Sequence, residues 1–98
     1  MLVIEQIKEW AHARELHLSH PAQQFLKVTE EVGEIAAGLA RQDKERIMDG
    51  IGDTVVTLVV LCETMNLNFK QCVEGAYEVI QNRKGKTVNG VFIKEEDL

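Results

Sequence analysis

The sequence predicts an all-α fold, and three observations lead to that prediction. Apolar residues recur at helical spacing over long segments, polar turn residues separate these segments, and the only proline, Pro21, stands where a helix would begin. The length of 98 residues fits a single domain spanning 1–98. Helices joined by short loops favour an antiparallel four-helix bundle.

The predicted helices follow the apolar spacing and the residues able to cap them. We expect helices over about residues 3–17, 21–41, 43–65 and 68–83. A polar residue that can accept a hydrogen bond from the first turn precedes each of the last three: Ser19 or His20, Asp43, and Asn68 with Gln71. These caps define where each of the three helices starts.

Two segments carry signals for β structure. Residues 54–60 are rich in β-branched side chains, as in a buried strand, but the apolar pattern continues on both sides without turn residues. We therefore assign them to the third helix. In the tail, residues 85–98, Asn89-Gly90 lies between short apolar stretches and predicts a hairpin, hence a short β-ribbon. Lys84-Gly85-Lys86 is expected to stop the fourth helix before it.

Composition and charge exclude several classes of function. With 11 basic against 16 acidic residues and a net charge of −5, the chain lacks the basic excess of a protein that binds nucleic acid polymers. Its longest apolar stretch, Val55–Cys62, is too short to span a bilayer, and its N-terminus carries acids where a secretion signal needs basic residues. We expect a cytoplasmic protein that does not bind membranes. Cys62 and Cys72 are interpreted as reduced core thiols.

Acidic residues on the second helix stand beside its apolar stripe. Successive residues turn by about 100° around a helix, so Val28 and Val32 belong to the stripe that faces the core. Glu31 and Glu34 then lie one turn apart on one flank of that stripe, whereas Glu30 points further from the core. Taken alone, these acids also fit an ordinary solvated helix face.

The third predicted helix carries a second set of acids. Asp49 and Asp53 are four residues apart and share a face of a helix that is apolar all round beyond Thr54. Carboxylates on a buried helix are costly unless a positive charge compensates them, and only Arg46 lies on that face. If the two helices are adjacent, their acids form one cation site. Ligands that are all oxygen favour Mg²⁺ or Mn²⁺ over zinc.

The two acidic segments resemble the signature of the MazG-like nucleotide pyrophosphohydrolases, with KVTEEVGE at residues 27–34 and DGIGD at residues 49–53. This family is all-α, shares a superfamily with dimeric dUTPases and phosphoribosyl-ATP pyrophosphatases, and carries EExxE on one helix and ExxD on the next. The similarity covers about residues 24–86. It implies Mg²⁺-dependent hydrolysis of a nucleoside triphosphate to the monophosphate and pyrophosphate, by a homodimer or homotetramer.

The resemblance assigns roles to residues of this sequence. It implies that the metal ligands are Glu31, Glu34, Asp49 and Asp53. The catalytic acids would be Glu30, Glu31, Glu34 and Asp53, with Glu30 a candidate to activate the attacking water. Phosphate binding would fall to Lys27, Asn82, Arg83, Lys84 and Lys86.

Aromatic and imidazole side chains are less informative. Trp10, the only tryptophan, has a ring able to stack on a nucleobase, but core packing is the favoured interpretation. His12, His17 and His20 do not share one helical face, which argues against a zinc site.

One position departs from the family pattern. Gly50 stands where ExxD places its glutamate, and the nearest acid, Asp49, is one residue early. Two alternatives therefore stay open: a nucleotide- or partner-binding helical module with weakened catalysis, and a relative restricted to a substrate such as dUTP or phosphoribosyl-ATP. In each case the apolar surface of the second and third helices exceeds what one short chain covers, so we expect at least a dimer.

Overall fold

The computed structural model describes residues 2–98, which form four helices and one small antiparallel sheet. The helices are α1 (Leu2–Ala13), α2 (Pro21–Ala40), α3 (Lys44–Thr64) and α4 (Phe69–Gln81), and the strands are β1 (Gly85–Val88) and β2 (Val91–Lys94). Short 3₁₀ turns lie at Leu16–Leu18 and Glu95–Asp97. The prediction of an all-α chain with a C-terminal β-ribbon is confirmed. None of the helices in residues 2–98 combines the length and the apolar character needed to cross a membrane.

The predicted helix caps are present. Each accepts a hydrogen bond from a backbone N–H of the first turn: His20 Nδ1 from Ala22 at 3.1 Å, Asp43 Oδ1 from Arg46 at 3.2 Å, and Asn68 Oδ1 from Gln71 at 2.9 Å. Of the two candidates before α2, the cap is therefore His20 and not Ser19. Pro21 occupies the first turn, where its missing N–H costs no hydrogen bond.

The first helix ends earlier than predicted. Glu15 adopts the left-handed conformation with φ 59°, so α1 stops at Ala13 and the chain turns back through the 3₁₀ turn. The turn stacks the His12 and His17 rings, with centroids 3.9 Å apart and planes 14° apart. His12 Nε2 also lies 2.8 Å from Glu63 Oε1 on α3. Two histidines that a continuous helix would separate are thus neighbours, and His12 links α1 to α3.

Gly85 does not end the last helix. α4 ends at Gln81, and Gly85 is the first residue of β1, where a side chain would collide with the Ile93 carbonyl and the Phe92 ring. The ribbon turns at Asn89 and Gly90, with φ 51° and 79°, as in the hairpin turns that Asn-Gly favours.

α2 and α3 form the most extensive helix contact of the chain. Two glycines let their backbones approach. A Cβ built on Gly38 would lie 2.9 Å from Ile47 Cγ1, and one built on Gly50 would lie 2.8 Å from Ile35 Cγ1 and 3.2 Å from Ile35 N. Gly33, by contrast, does not bring α2 and α3 together, since a Cβ there has nothing within 4 Å. The two contacts also show that α2 and α3 run antiparallel.

The bundle is not closed within one chain. Val59 and Val60 on α3 are buried, which agrees with assigning residues 54–60 to a helix. α4, by contrast, contains no buried residue. Cys62 is buried, but Cys72 on α4 is exposed and is not the core thiol that we predicted. The Cα radius of gyration is 16.2 Å, against about 13 Å for a compact domain of this length.

Candidate active site

The acids predicted on α2 lie along one side of that helix at different depths. Glu31 is half-buried, whereas Glu30 and Glu34 are exposed. Lys27 Nζ lies 3.8 Å from Glu30 Oε2, and both side chains are 65% exposed. This pair faces solvent and contributes little to stability. Of the three acids on α2, Glu31 is the least exposed.

Glu34 has a basic partner on α3. Arg46 Nε donates to Glu34 Oε2 at 3.0 Å, and Arg46 Nη2 lies 2.9 Å from the same oxygen. The sequence placed Arg46 on the acidic face of α3 but did not predict this pairing. Because the guanidinium reaches one carboxylate oxygen only, the second oxygen of Glu34 has no ion-pair partner among residues 2–98.

The helix register brings the two acid sets to the same stretch of the α2–α3 pair. The contacts of Gly50 with Ile35 and of Gly38 with Ile47 fix the antiparallel alignment. Residues 31–36 of α2 therefore lie level with residues 49–54 of α3, the segment that carries Asp49 and Asp53. Both aspartates are exposed. Facing acid clusters on adjacent helices were the basis of the predicted cation site, and the helices are adjacent.

The side chains are not gathered around a common point. Among residues 2–98, no group of three or more His, Cys, Asp or Glu side chains is placed to hold a metal ion. The assignment of Glu31, Glu34, Asp49 and Asp53 as ligands therefore stays a prediction. The chemistry of the donors fits a hard divalent cation, because every one of them supplies carboxylate oxygen.

Gly50 is a packing position. It is buried, and any side chain there would be directed at the backbone of α2, since a Cβ would lie 3.2 Å from Ile35 N and 3.4 Å from Ile35 Cα. A glutamate at this position would require α2 and α3 to separate. The exposed Asp49, one residue earlier, is the only acid that α3 can present one turn from Asp53.

Asp53 also borders an apolar groove, a feature that sequence reasoning missed. The groove has a volume of about 800 Å³ and runs between α1, α3 and α4. Its walls are formed by Val3, Ile4, Ile7, Val55, Val56, Phe69 and Val73. Two charged residues of α4, Lys70 and Glu74, also line it. The apolar run of α3 was the available signal, but it cannot show which neighbours leave the run uncovered.

The predicted phosphate-binding residues near the C-terminus lie apart from these acids. Asn82 caps α4, Lys86 lies in β1, and all of residues 82–86 are exposed. Within residues 2–98, no ion pair joins them to the acids of α2 or α3. The structure thus brings Lys27 close to the acids, through Glu30, but not the C-terminal cluster.

Trp10 is not a core residue, contrary to the favoured interpretation. It is 42% exposed, and the Arg14 guanidinium carbon lies 4.7 Å from its ring centroid. Cation–π contact of this kind stabilises a partly exposed ring. Beside it, Gln6, Ile7 and Val56 line a smaller cavity of about 290 Å³.

Comparison with known proteins places most of the chain in one family. Residues 20–88 match the family described as the MazG nucleotide pyrophosphohydrolase domain. The chain is also similar to an uncharacterised 18.2 kDa protein from the rep-hol intergenic region of Haemophilus phage HP1 (strain HP1c1), with 37% identity over 67 residues. This alignment covers 67% of the chain and 41% of the phage protein. No solved structure matches the chain.

Proposed function

Since this chain belongs to the MazG nucleotide pyrophosphohydrolase family, we propose that it is a Mg²⁺-dependent enzyme that hydrolyses a nucleoside triphosphate to the monophosphate and pyrophosphate. One observation carries the proposal. The family match at residues 20–88 contains both acid sets, and the helices that bear them are packed level with each other. The first helix, with Trp10, lies outside the matched segment, so a role of Trp10 in base stacking has weaker support.

The acids have different proposed roles according to their positions. Glu31, Glu34 and Asp53 would hold Mg²⁺, and Asp49 supplies the fourth carboxylate because Gly50 cannot. When bound, Mg²⁺, or Mn²⁺ in its place, would neutralise phosphate charge and polarise the α-phosphorus. Glu30 lies on the solvent side of this group, where it accepts the proton of the attacking water.

The nucleoside triphosphate and water are the only reactants that the hydrolysis needs. The water oxygen forms a bond to the α-phosphorus while the bond from that phosphorus to the α–β bridging oxygen breaks. Pyrophosphate leaves with the bridging oxygen, and the proton passes to the carboxylate base. Lys27 is near enough to the acids to contact the phosphates within one chain. The C-terminal cluster, residues 82–86, needs a second subunit to approach the same site.

The exposed apolar surface supports the proposal of a second subunit. Phe25, Val32 and Leu39 are spaced seven residues apart on α2, which places them on one face, and they are 55%, 50% and 61% exposed. Our prediction that Val32 faces the core together with Val28 was therefore wrong for the single chain, in which only Val28 is buried. Such a stripe is typical of a helix that packs against another helix. Val32 is adjacent to Glu31 in the sequence, so an interface on this stripe would border the acids. We therefore propose that the chain assembles as a homodimer or a homotetramer.

One alternative has a specific observation in its favour. The position where the family pattern places a glutamate is occupied by the buried Gly50, and no three acids are gathered among residues 2–98. A nucleotide-binding helical module with weakened catalysis, or an enzyme restricted to one substrate such as dUTP or phosphoribosyl-ATP, accounts for this departure.

A substrate panel tests the proposal. Pyrophosphate release is measured with each common ribo- and deoxyribonucleoside triphosphate, dUTP and phosphoribosyl-ATP, with Mg²⁺ and with chelator. We expect release that chelator abolishes and that Asp53→Asn lowers at least about 100-fold, since even residues that only support a metal ligand contribute 10- to 100-fold. Asp97→Asn, an exposed aspartate far along the chain, is the matched control and should retain full activity. Tight nucleotide binding with no turnover of any substrate would support the module instead.

A further inference from the structure

The β-ribbon exposes an apolar face. Its register pairs Lys86 with Ile93 and Val88 with Val91, and side chains two residues apart on a strand share a face. These four residues therefore lie on one face of the ribbon, which we call the valine face. Val88 and Val91 are 39% and 62% exposed, and Ile93 is half-buried. Three neighbouring apolar side chains are thus at least partly open to solvent.

The opposite face of the ribbon is covered by its own ring. It carries the pairs Thr87–Phe92 and Gly85–Lys94. The Phe92 ring lies over Gly85, where a Cβ would be 2.8 Å from the ring atom Cζ. The acids Glu95–Asp97 follow β2 and belong to neither face. The valine face is therefore the side of the ribbon that is suited to bind another surface.

The apolar groove between α1, α3 and α4 is a matching surface. Its volume of about 800 Å³ far exceeds the voids of native interiors, few of which are larger than a water molecule. Within residues 2–98, no residue of β1 or β2 lines the groove, so the ribbon does not fill the groove of its own chain. Burial of these apolar walls thus requires a second chain or another ligand.

Charge favours the ribbon of a second copy as the occupant. Residues 82–94 contain no acid and four basic residues, Arg83, Lys84, Lys86 and Lys94, in a chain of net charge −5. None of the four has an ion-pair partner among residues 2–98. Lys86 is the one that lies on the valine face.

The groove carries the opposite charge. Asp53 and Glu74 line it and outnumber its one cation, Lys70. Neither acid has an ion-pair partner within the described part of the chain. Complementary charges at the edge of an apolar contact fix its orientation and select the partner. The valine face with Lys86 matches this groove in both respects.

We propose that the β-ribbon of one copy binds in the apolar groove of a second copy, with the valine face against the groove walls and Lys86 beside Asp53 or Glu74. In a dimer with two-fold symmetry the exchange is reciprocal, so each ribbon occupies the groove of the other chain. The contact itself is independent of catalysis. Only its consequence rests on the proposed function: each ribbon would bring its basic residues to the phosphates bound by the other copy.

Crosslinking between isotope-labelled chains tests the contact in the wild-type protein. Natural-abundance and heavy-nitrogen chains are mixed in equal amounts in urea and refolded together, and native mass spectrometry establishes that mixed-label oligomers have formed. A zero-length carbodiimide then joins lysine amines to neighbouring carboxylates, and mass spectrometry of the digest identifies the linked residues. We expect Lys86 linked to Asp53 or Glu74, with mixed-label links as frequent as the two single-label links together.

Two matched pairs of variants locate the contact, and glutamine adds no carboxylate for the carbodiimide. Val91→Gln on the valine face should lower the yield of the mixed-label link at least roughly tenfold, because it removes an apolar side chain from the contact. Thr87→Gln on the opposite face should leave the yield unchanged. Val73→Gln in the groove wall should act like Val91→Gln, whereas Val79→Gln, on the same helix but not in the groove wall, should have no effect.

Four results would overturn the proposal. They are a monomeric wild-type protein, an oligomer in which Lys86 forms no link to Asp53 or Glu74, links found only within single-label pairs, and yields that fall equally in Val91→Gln and Thr87→Gln. Single-label links alone would mean that the ribbon binds the groove of its own chain. None of these readouts requires turnover, so an inactive protein that forms the mixed-label link would refute the proposed function and leave the contact established.

Discussion

Gly50 allows the sharpest test of how α2 and α3 pack. Gly50→Ala adds a Cβ that would lie 2.8 Å from Ile35 Cγ1, 3.2 Å from Ile35 N and 3.4 Å from Ile35 Cα. The side-chain atom can rotate away, but the backbone atoms yield only if the two helices separate by a few tenths of an ångström. Overpacking of this kind costs about 1–3 kcal/mol.

Helix propensity acts in the opposite direction and has to be subtracted. Replacing glycine by alanine inside a helix stabilises it by about 1 kcal/mol. Gly33 provides the matched control, because it lies inside α2, is exposed and has open space where its Cβ would be. We therefore expect Gly33→Ala to be stabilised by about 1 kcal/mol and Gly50→Ala to be destabilised by up to about 2 kcal/mol.

Urea unfolding followed by circular dichroism measures this difference. Because an oligomer unfolds at a concentration-dependent midpoint, both variants are compared with the wild type at one protein concentration. The difference in the free energy of unfolding between the two alanine variants gives the cost of overpacking at position 50 alone, about 1–3 kcal/mol. Equal stabilisation of both variants would refute the close approach of α2 and α3 at Gly50. It would also reopen this position as a place for an acidic ligand.

Four further predictions follow from the described contacts. Arg46→Met removes the ion pair of Glu34, a half-exposed interaction worth about 0–1 kcal/mol, so the Mg²⁺ concentration for half-maximal activity should fall by up to about fivefold. Asn68→Ala removes the cap of α4 and should lower the free energy of unfolding by about 1 kcal/mol, measured by urea unfolding. Leu39→Glu should shift the oligomer towards monomer in sedimentation velocity, whereas an equally exposed change on α4, Val79→Glu, should not. Burial raises the pKa of Cys62 in the folded chain, so the thiol ionises first in the unfolded chain as pH rises. The free energy of unfolding of the wild type should therefore fall above the ordinary thiol pKa, and Cys62→Ala should not show this fall.

Much of the fold follows from local signals in the sequence. Caps at His20, Asp43 and Asn68 mark the starts of three helices, because a side chain that satisfies a free N–H acts over only three residues. The hairpin at Asn89-Gly90 is equally local, since both residues tolerate positive φ. Such features depend on a few neighbours and are therefore visible without the tertiary structure.

The features that the sequence did not predict correctly depend on contacts between distant segments. Which of the glycines Gly33, Gly38 and Gly50 lies between α2 and α3 depends on the face that each helix turns towards the other. The apolar pattern does not determine the alignment of the two helices to better than one helical turn. The end of α1 depends on the left-handed Glu15, a conformation that no residue preference predicts for glutamate. Arg46 was assigned to the correct face, but its partner Glu34 is twelve residues away on another helix.

The candidate site shows the same division. The sequence was sufficient to predict two acid sets on neighbouring helices, because spacing fixes which residues share a helix face. It was not sufficient to predict that Asp53 borders an apolar groove, since the groove exists only where α1 and α4 leave α3 uncovered. The prediction that Trp10 packs in the core was wrong for the same reason, because its exposure depends on how α1 lies on α3.

The proposed enzyme directs water to the α-phosphorus of a nucleoside triphosphate. Hydrolysis in water enriched in heavy oxygen, with mass spectrometry of both products, shows directly which phosphorus is attacked. We expect that the label enters the nucleoside monophosphate, that pyrophosphate stays unlabelled, and that chelator stops the formation of both products. Label in pyrophosphate, or release of a nucleoside diphosphate and inorganic phosphate, would contradict this expectation.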